Sequence, residues 1–155
     1  MTKHSDSANV AFHPPVLLLG LLVAGSVLWR TSALSFLPDT VSRILGPGIT
    51  GISFIVFWWS VLTMLRAGAN LPTQKPSTVF VSHGPYQLSR NPIYVAMLLL
   101  IIGIACWLNS AWFLLVAPVF IGLITAGVIV REEQYMSRKF GTEYDDYCAS
   151  VRRWL

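Results

Sequence analysis

Four long, nearly uncharged apolar stretches, residues 16–34, 47–65, 92–108 and 112–130, leave this 155-residue chain few ways to fold in water. Each approaches the roughly 20 helical residues needed to cross a hydrocarbon core, and the third is the shortest. Hydrophobic side chains make up 54% of the chain and charged ones 12%, whereas about a quarter of the residues of a soluble domain are charged. The reading is one all-α integral membrane domain of about four transmembrane helices, with a cytoplasmic loop at 66–91 and an amphipathic cytoplasmic helical tail at 131–155. The first stretch follows Pro14-Pro15, has a single Lys before it and no small-residue cleavage site beyond it, so it reads as a retained anchor and not a cleaved signal.

Basic residues set the expected orientation. Of the eleven Lys and Arg, nine lie in the first tail (Lys3), the central loop (Arg66, Lys75, Arg90) and the last tail (Arg131, Arg138, Lys139, Arg152, Arg153); two, Arg30 and Arg43, lie on the other side. That asymmetry puts both termini and the central loop in the cytoplasm. The net charge of +4 then suits anionic headgroups, and its interleaving with acids argues against a nucleic-acid partner. Cys106 and Cys148 fall on different sides of the expected membrane and lack the spacing of a metal site, so neither a disulfide nor a metal is expected.

Small residues in the first two stretches, Gly20, Ala24, Gly25, Gly48 and Gly51, would permit close helix approach. Residues 66–90, punctuated by Pro72, Pro76 and Pro85, are too polar to cross and too irregular for one helix; Thr78 to Val81 suits a short extended piece. Asn91-Pro92 has the form of a helix start, with Asn as N-cap and Pro at the first helical position. Leu108-Asn109-Ser110 between Trp107 and Trp112 reads as a tight interfacial turn, so the third and fourth stretches form an antiparallel hairpin. Past Val130 a stripe of Met136, Phe140, Tyr144, Tyr147, Val151 and Trp154 is interrupted by Gly141, and Thr142 with Asp145 resembles a capping box opening a second short helix. The tail would lie along the interface or fold over the hairpin mouth.

That mouth gathers charges of both signs, with Arg90 and the amides at the start of the third stretch on one side, and Glu132 and Glu133 at the end of the fourth on the other. Free amides at a helix N-terminus attract a carboxylate; two carboxylates attract an ammonium or hydroxyls. Acids at a helix C-terminus oppose the macrodipole, so stability alone does not account for them. Taken singly, each residue has a plainer reading. Glu132 and Glu133 would be a solvated flank and, about 100° apart on a helix, cannot both face inward equally. Arg90 would be an interfacial anchor, Gly84-Pro85 a turn, Tyr86 and Tyr94 members of an aromatic belt, and His83 an interfacial polar group with no carboxylate spaced to orient it. Their coincidence suits a zwitterionic ligand.

The set Gly84-Pro85-Tyr86, Ser89-Arg90-Asn91-Pro92-Ile93-Tyr94, Glu132-Glu133 and Phe140-Gly141-x-x-Tyr144-x-x-Tyr147 resembles the isoprenylcysteine carboxyl methyltransferase and phospholipid methyltransferase superfamily, over Asn70 to Arg153. Asn70-Leu71-Pro72 and Lys75-Pro76-Ser77-Thr78 are similar to the lead-in loop of its small bacterial members, which implies a bacterial inner membrane. The resemblance implies methyl transfer from S-adenosylmethionine to a lipophilic or lipid-anchored acceptor, an isoprenylcysteine-type carboxylate or a lipid headgroup. It implies cofactor binding by His83, Gly84, Pro85, Tyr86, Arg90, Pro92, Tyr94, Glu132 and Glu133, with Arg90, Asn91 and Tyr94 nearest the chemistry. Many members carry His where this chain has Asn91, which cannot titrate. Two other readings compete: a membrane reductase of the sterol reductase type using NADPH, and a non-enzymatic four-span interaction protein.

Overall fold

The structure is a computed structural model that describes residues 10–32, 34–69 and 79–155. Lys3, Lys75 and the lead-in segments Asn70-Leu71-Pro72 and Lys75 to Thr78 lie outside the described residues. Among those described there is no strand, and the chain runs as α1 (Pro14–Thr31), α2 (Asp39–Arg66), a 3-10 turn (Gly84–Gln87), α3 (Pro92–Trp107), α4 (Ala111–Ile124), a π turn (Thr125–Ile129), α5 (Val130–Phe140) and α6 (Thr142–Ser150). Three helical runs, Pro14–Thr31, Asp39–Arg66 and Ala111–Phe140, are long and apolar enough to cross a membrane, and α3 is apolar but shorter. Val16, Leu19 and Val23 of α1 and Ile52, Ile55 and Trp58 of α2 are exposed, as expected of surfaces whose solvent is lipid.

α2 begins at Asp39, upstream of Pro47, and carries that proline inside the helix. Asp39 in the first turn complements the positive end of the helix. The turn before Pro47 is held from outside, because Ser42 Oγ donates to the Cys106 carbonyl at 2.6 Å and Gly46 lies against the backbone of Trp107. Membrane helices tolerate proline where neighbours supply such support.

Ser42, Gly46, Thr50 and Ser53 recur along the buried face of α2, and their small size brings α3 close. Ser53 Oγ donates to the Ala96 carbonyl at 2.8 Å, and a Cβ on Gly103 would lie 2.8 Å from the Thr50 nitrogen. The small-residue contacts are therefore Gly46 and Gly103. Gly48, Gly51 and Gly20 face open space, and of the glycines expected to pack, Gly25 does so, against the Phe113 ring.

Asn109 ties the two turns at the other end of the bundle. It adopts φ 46°, a left-handed conformation that Asn tolerates better than most residues. Its Oδ1 accepts from Leu37 N at 2.9 Å and Phe36 N at 3.1 Å, and its Nδ2 donates to the Leu37 carbonyl at 2.8 Å. Trp112 Nε1 donates to the Ser32 carbonyl at 2.9 Å.

The helix that starts at Ala111 does not stop at Val130. It widens through the π turn and runs on as α5. A π turn sets a carbonyl off the regular ladder, and here Ala11 N donates to the Gly127 carbonyl at 2.9 Å. The Phe12 ring occupies the place a Cβ on Gly127 would need, so the segment before α1 is seated on the turn. Beside it, Ile101 of α3, Phe120 and Ile124 of α4, and Val128 and Ile129 of the turn form the most buried core.

Gly141, at φ 59°, breaks the helix between α5 and α6. A second short helix does begin at Thr142, but the capping box is not formed. Gly141 is the N-cap, and Asp145 Oδ1 instead accepts from Ser137 Oγ at 2.9 Å.

Candidate active site

A cavity of about 520 Å³ lies where the tail folds back over the start of α3. Arg90, Asn91, Pro92 and Tyr94 line it from the α3 side, Glu132, Glu133 and Tyr135 from α5, Tyr86 from the 3-10 turn, and Tyr144 and Tyr147 from α6. Its size falls within the roughly 300–1,000 Å³ of small-molecule and cofactor sites.

Tail and α3 entrance are joined by main-chain and side-chain bonds. Arg90 N donates to the Arg152 carbonyl at 2.9 Å, and the Arg153 carbonyl accepts from Asn91 Nδ2 at 2.9 Å and Ser89 Oγ at 3.2 Å. Tyr147 Oη donates to the Tyr86 carbonyl at 2.6 Å. Phe80 packs on Phe140, Tyr144 and Tyr147, with ring centroids 5.0–5.8 Å apart. Asn91 precedes the helix as expected, yet its side chain makes no capping bond; it is spent on the tail.

The two glutamates part company. Tyr94 Oη donates to Glu132, 3.1 Å from each carboxylate oxygen. Glu133 takes both ends of the Arg153 guanidinium, at 3.0 and 2.7 Å, and pairs with Arg90 Nη1 at 3.3 Å. Arg90 Nη1 also reaches Cys148 Sγ. Because α4 continues into α5, these acids sit in the first turn of α5 and not at a helix C-terminus, which removes the macrodipole argument for them. The poles are also not separate as the sequence suggested: Arg90 is already paired with Glu133, and two arginines around one carboxylate leave one positive charge in excess.

Tyrosines fill the rest of the wall. Burial, together with Tyr147 and Glu132 nearby, pushes the Tyr86 phenol up, and burial with Cys148 beside it raises Tyr144. Burial pushes Tyr147 up to about 12, Arg90 opposing and Cys148 adding to the shift. The bond to Glu133 holds the Arg153 guanidinium above its usual range. Among the described residues, Tyr86 Oη and Arg90 Nε are buried with no hydrogen-bond partner, an expensive state unless a ligand supplies one.

Of the residues singled out in the sequence, His83, Gly84 and Pro85 do not line the cavity. His83 is exposed and Pro85 buried. Gly84 takes φ +63°, and a Cβ there would lie 3.3 Å from Thr63 Oγ1, so these residues shape the turn that presents Tyr86. Sequence reasoning missed His13, Phe80 and Tyr135 on the cavity wall and Arg153 as the partner of Glu133. An unmatched basic residue at the end of the aromatic stripe was the one signal for Arg153; none marked His13.

Residues 41–143 match the family model described as phospholipid methyltransferase. The chain belongs to that family. A 63-residue stretch is 40% identical to an uncharacterized protein of Haemophilus influenzae, covering 41% of this chain and all of that one. A stretch of 73 residues is 33% identical to the nickel-cobalt-cadmium resistance protein NccN of Alcaligenes xylosoxydans xylosoxydans, covering 47% of this chain and 34% of NccN. No solved structure matches. Membership indicates a membrane methyltransferase acting on a lipid-type substrate and gives no support to a reductase.

Proposed function

We propose that this protein transfers a methyl group from S-adenosylmethionine to a lipophilic or lipid-anchored acceptor at the cytoplasmic face of the membrane, with the donor held in the cavity under the tail. The observation that carries the reading is that one cavity holds a carboxylate fixed by Tyr94 together with Arg90, which shares Glu133 with Arg153 and so leaves one positive charge in excess around that carboxylate. Such a layout suits the zwitterionic end of the donor, its ammonium or ribose at Glu132 and its carboxylate toward Arg90, whose buried Nε has no partner. Tyr86, Tyr94 and Tyr144 offer aromatic faces that attract a cation.

S-adenosylmethionine supplies an electrophilic methyl group on a sulfonium. The protein's part is to hold two partners in line and exclude water, since placement alone is worth several kcal/mol of barrier. The apolar wall of Phe57, Val61 and Met64 from α2 and Ile93 and Met97 from α3 suits an acceptor arriving from the bilayer. Asn91 holds the tail and takes no proton.

Calorimetric titration of S-adenosylmethionine into the protein in detergent tests the pose. Affinity is expected to fall at least about tenfold in Glu132→Ala and in Arg90→Ala, the loss of one or two charge-assisted hydrogen bonds. Equal affinity in both variants and the wild type would remove it.

A further inference from the structure

Arg153 does not line the cavity, and its side chain is 39% exposed against 14% for Arg90 and 16% for Glu133. It nevertheless holds the shared carboxylate more closely than Arg90 does. Its Nε and Nη2 reach the two oxygens of Glu133 at 3.0 and 2.7 Å, a fork closed on a carboxylate. Arg90 meets the same carboxylate through Nη1 at 3.3 Å, and its buried Nε has no partner among the described residues. A carboxylate has two oxygens, so a guanidinium that takes both in parallel leaves a second guanidinium only an edge of the group.

The Arg153 main chain is fixed independently of its side chain. Its carbonyl accepts from Asn91 Nδ2 at 2.9 Å and from Ser89 Oγ at 3.2 Å, and Ser89 Oγ in turn accepts from Asn91 N at 3.1 Å. Ser89 is buried. One residue earlier, the Arg152 carbonyl accepts from Arg90 N, and one residue later Trp154 packs against the core that contains Tyr94. None of these contacts uses an atom of the Arg153 side chain, so the guanidinium can be removed while they stay in place.

We propose that Arg153 is a positioning residue for donor binding, acting through Glu133: by occupying both carboxylate oxygens it keeps Arg90 available to the carboxylate of S-adenosylmethionine. The inference rests on the donor site proposed above. Without the Arg153 side chain, Glu133 keeps Arg90 as its partner in the cluster, and the two close a bidentate pair with no net charge. The cavity then loses the positive charge that an anionic group requires. Ser89 and Asn91, by fixing the Arg153 carbonyl, set where the competing fork stands. Residues at the very end of the chain thereby govern an arginine 63 positions earlier.

The test is calorimetric titration of S-adenosylhomocysteine, which carries the same amino acid end, into the full chain in detergent. Arg153→Ala should weaken binding about tenfold, equivalent to 1.4 kcal/mol, although Arg153 touches no ligand. Adding Glu133→Gln removes the competing charge and keeps the shape of the side chain, so the double variant should recover most of that loss. A merely structural role for Arg153 would not produce such a coupling. As a readout without ligand, the nitrogen-15 NMR signal of Arg90 Nε should move in Arg153→Ala and return toward its wild-type position in the double variant. Wild-type affinity in Arg153→Ala, a double variant as weak as the single one, or an Arg90 signal that does not move would each overturn the assignment. Failure of the wild type to bind S-adenosylhomocysteine, with the Arg90 signal moving as described, would strike the donor site and leave the competition for Glu133 standing.

Discussion

Glu132 and Glu133 show how one residue step decides a role. Adjacent on a helix and about 100° apart, they answer to different partners: Glu132 to Tyr94 inside the cavity, Glu133 to Arg153 and Arg90 at its edge. Tyr94→Phe keeps the ring and removes the phenolic donor, so S-adenosylmethionine affinity should fall less than in Glu132→Ala, by about 1.5 kcal/mol as for a hydrogen bond to a charged group; calorimetry of the two variants side by side checks the order. Glu133→Ala should act differently. It leaves two guanidinium groups facing each other and should loosen the tail, seen as faster proteolysis after Phe140 without any ligand present. The sequence made plain that both acids could not face inward equally, and the residues that settle how they divide, Tyr94 and Arg153, lie 38 and 20 positions away. Long-range partners of this kind leave no local trace.

At the scale of elements, the hairpin and the two tail helices were legible because Asn91-Pro92, the Trp-flanked turn and Gly141 are local punctuation. The start of α2 was not: Pro47 reads as a beginning, yet Ser42 and Gly46 dock on the far end of α3 and carry the helix through it. The choice of packing glycines turned on the same register. Gly46→Ala, forced against the Trp107 backbone, should destabilise by about 1–3 kcal/mol, whereas Gly48→Ala, facing open space, should not; thermal unfolding in detergent distinguishes them. The π turn has no sequence signature beyond Gly127, which only in three dimensions is the seat of Phe12. Tail docking carries its own pH signature. Burial pushes the Tyr147 phenol up from 10.0 to about 12, so the stability that its neutral folded form contributes is fully present below pH 10 and is lost as pH rises through about 12. Tyrosine fluorescence and proteolysis of the tail should change in that window, and Tyr147→Phe should reduce the change, leaving the part due to the buried Tyr86 and Tyr144.

For the whole molecule, the account rests on the central loop, both termini and the tail sharing the cytoplasmic side, as the basic residues argue. A membrane-impermeant maleimide applied to intact cells should label Ser35→Cys, in the turn between α1 and α2, and leave His83→Cys unlabelled until the membrane is opened; the reverse pattern would invert the topology. The folded-back tail also explains how a chain this small can build a cofactor-sized cavity. α3 and α5 supply one wall, and the segment after Gly141 returns over 61–64 positions of sequence to bond Tyr86, Ser89 and Asn91. The most direct test of this arrangement is ultraviolet crosslinking of labelled S-adenosylmethionine to the purified protein, followed by mapping of the labelled peptides. Label on the segments holding Tyr86 to Tyr94 and Glu132 to Tyr147, displaced by S-adenosylhomocysteine and lost in Glu132→Ala, is the predicted result. Displaceable label confined to other segments, or unaffected by Glu132→Ala, would contradict a donor site beneath the tail.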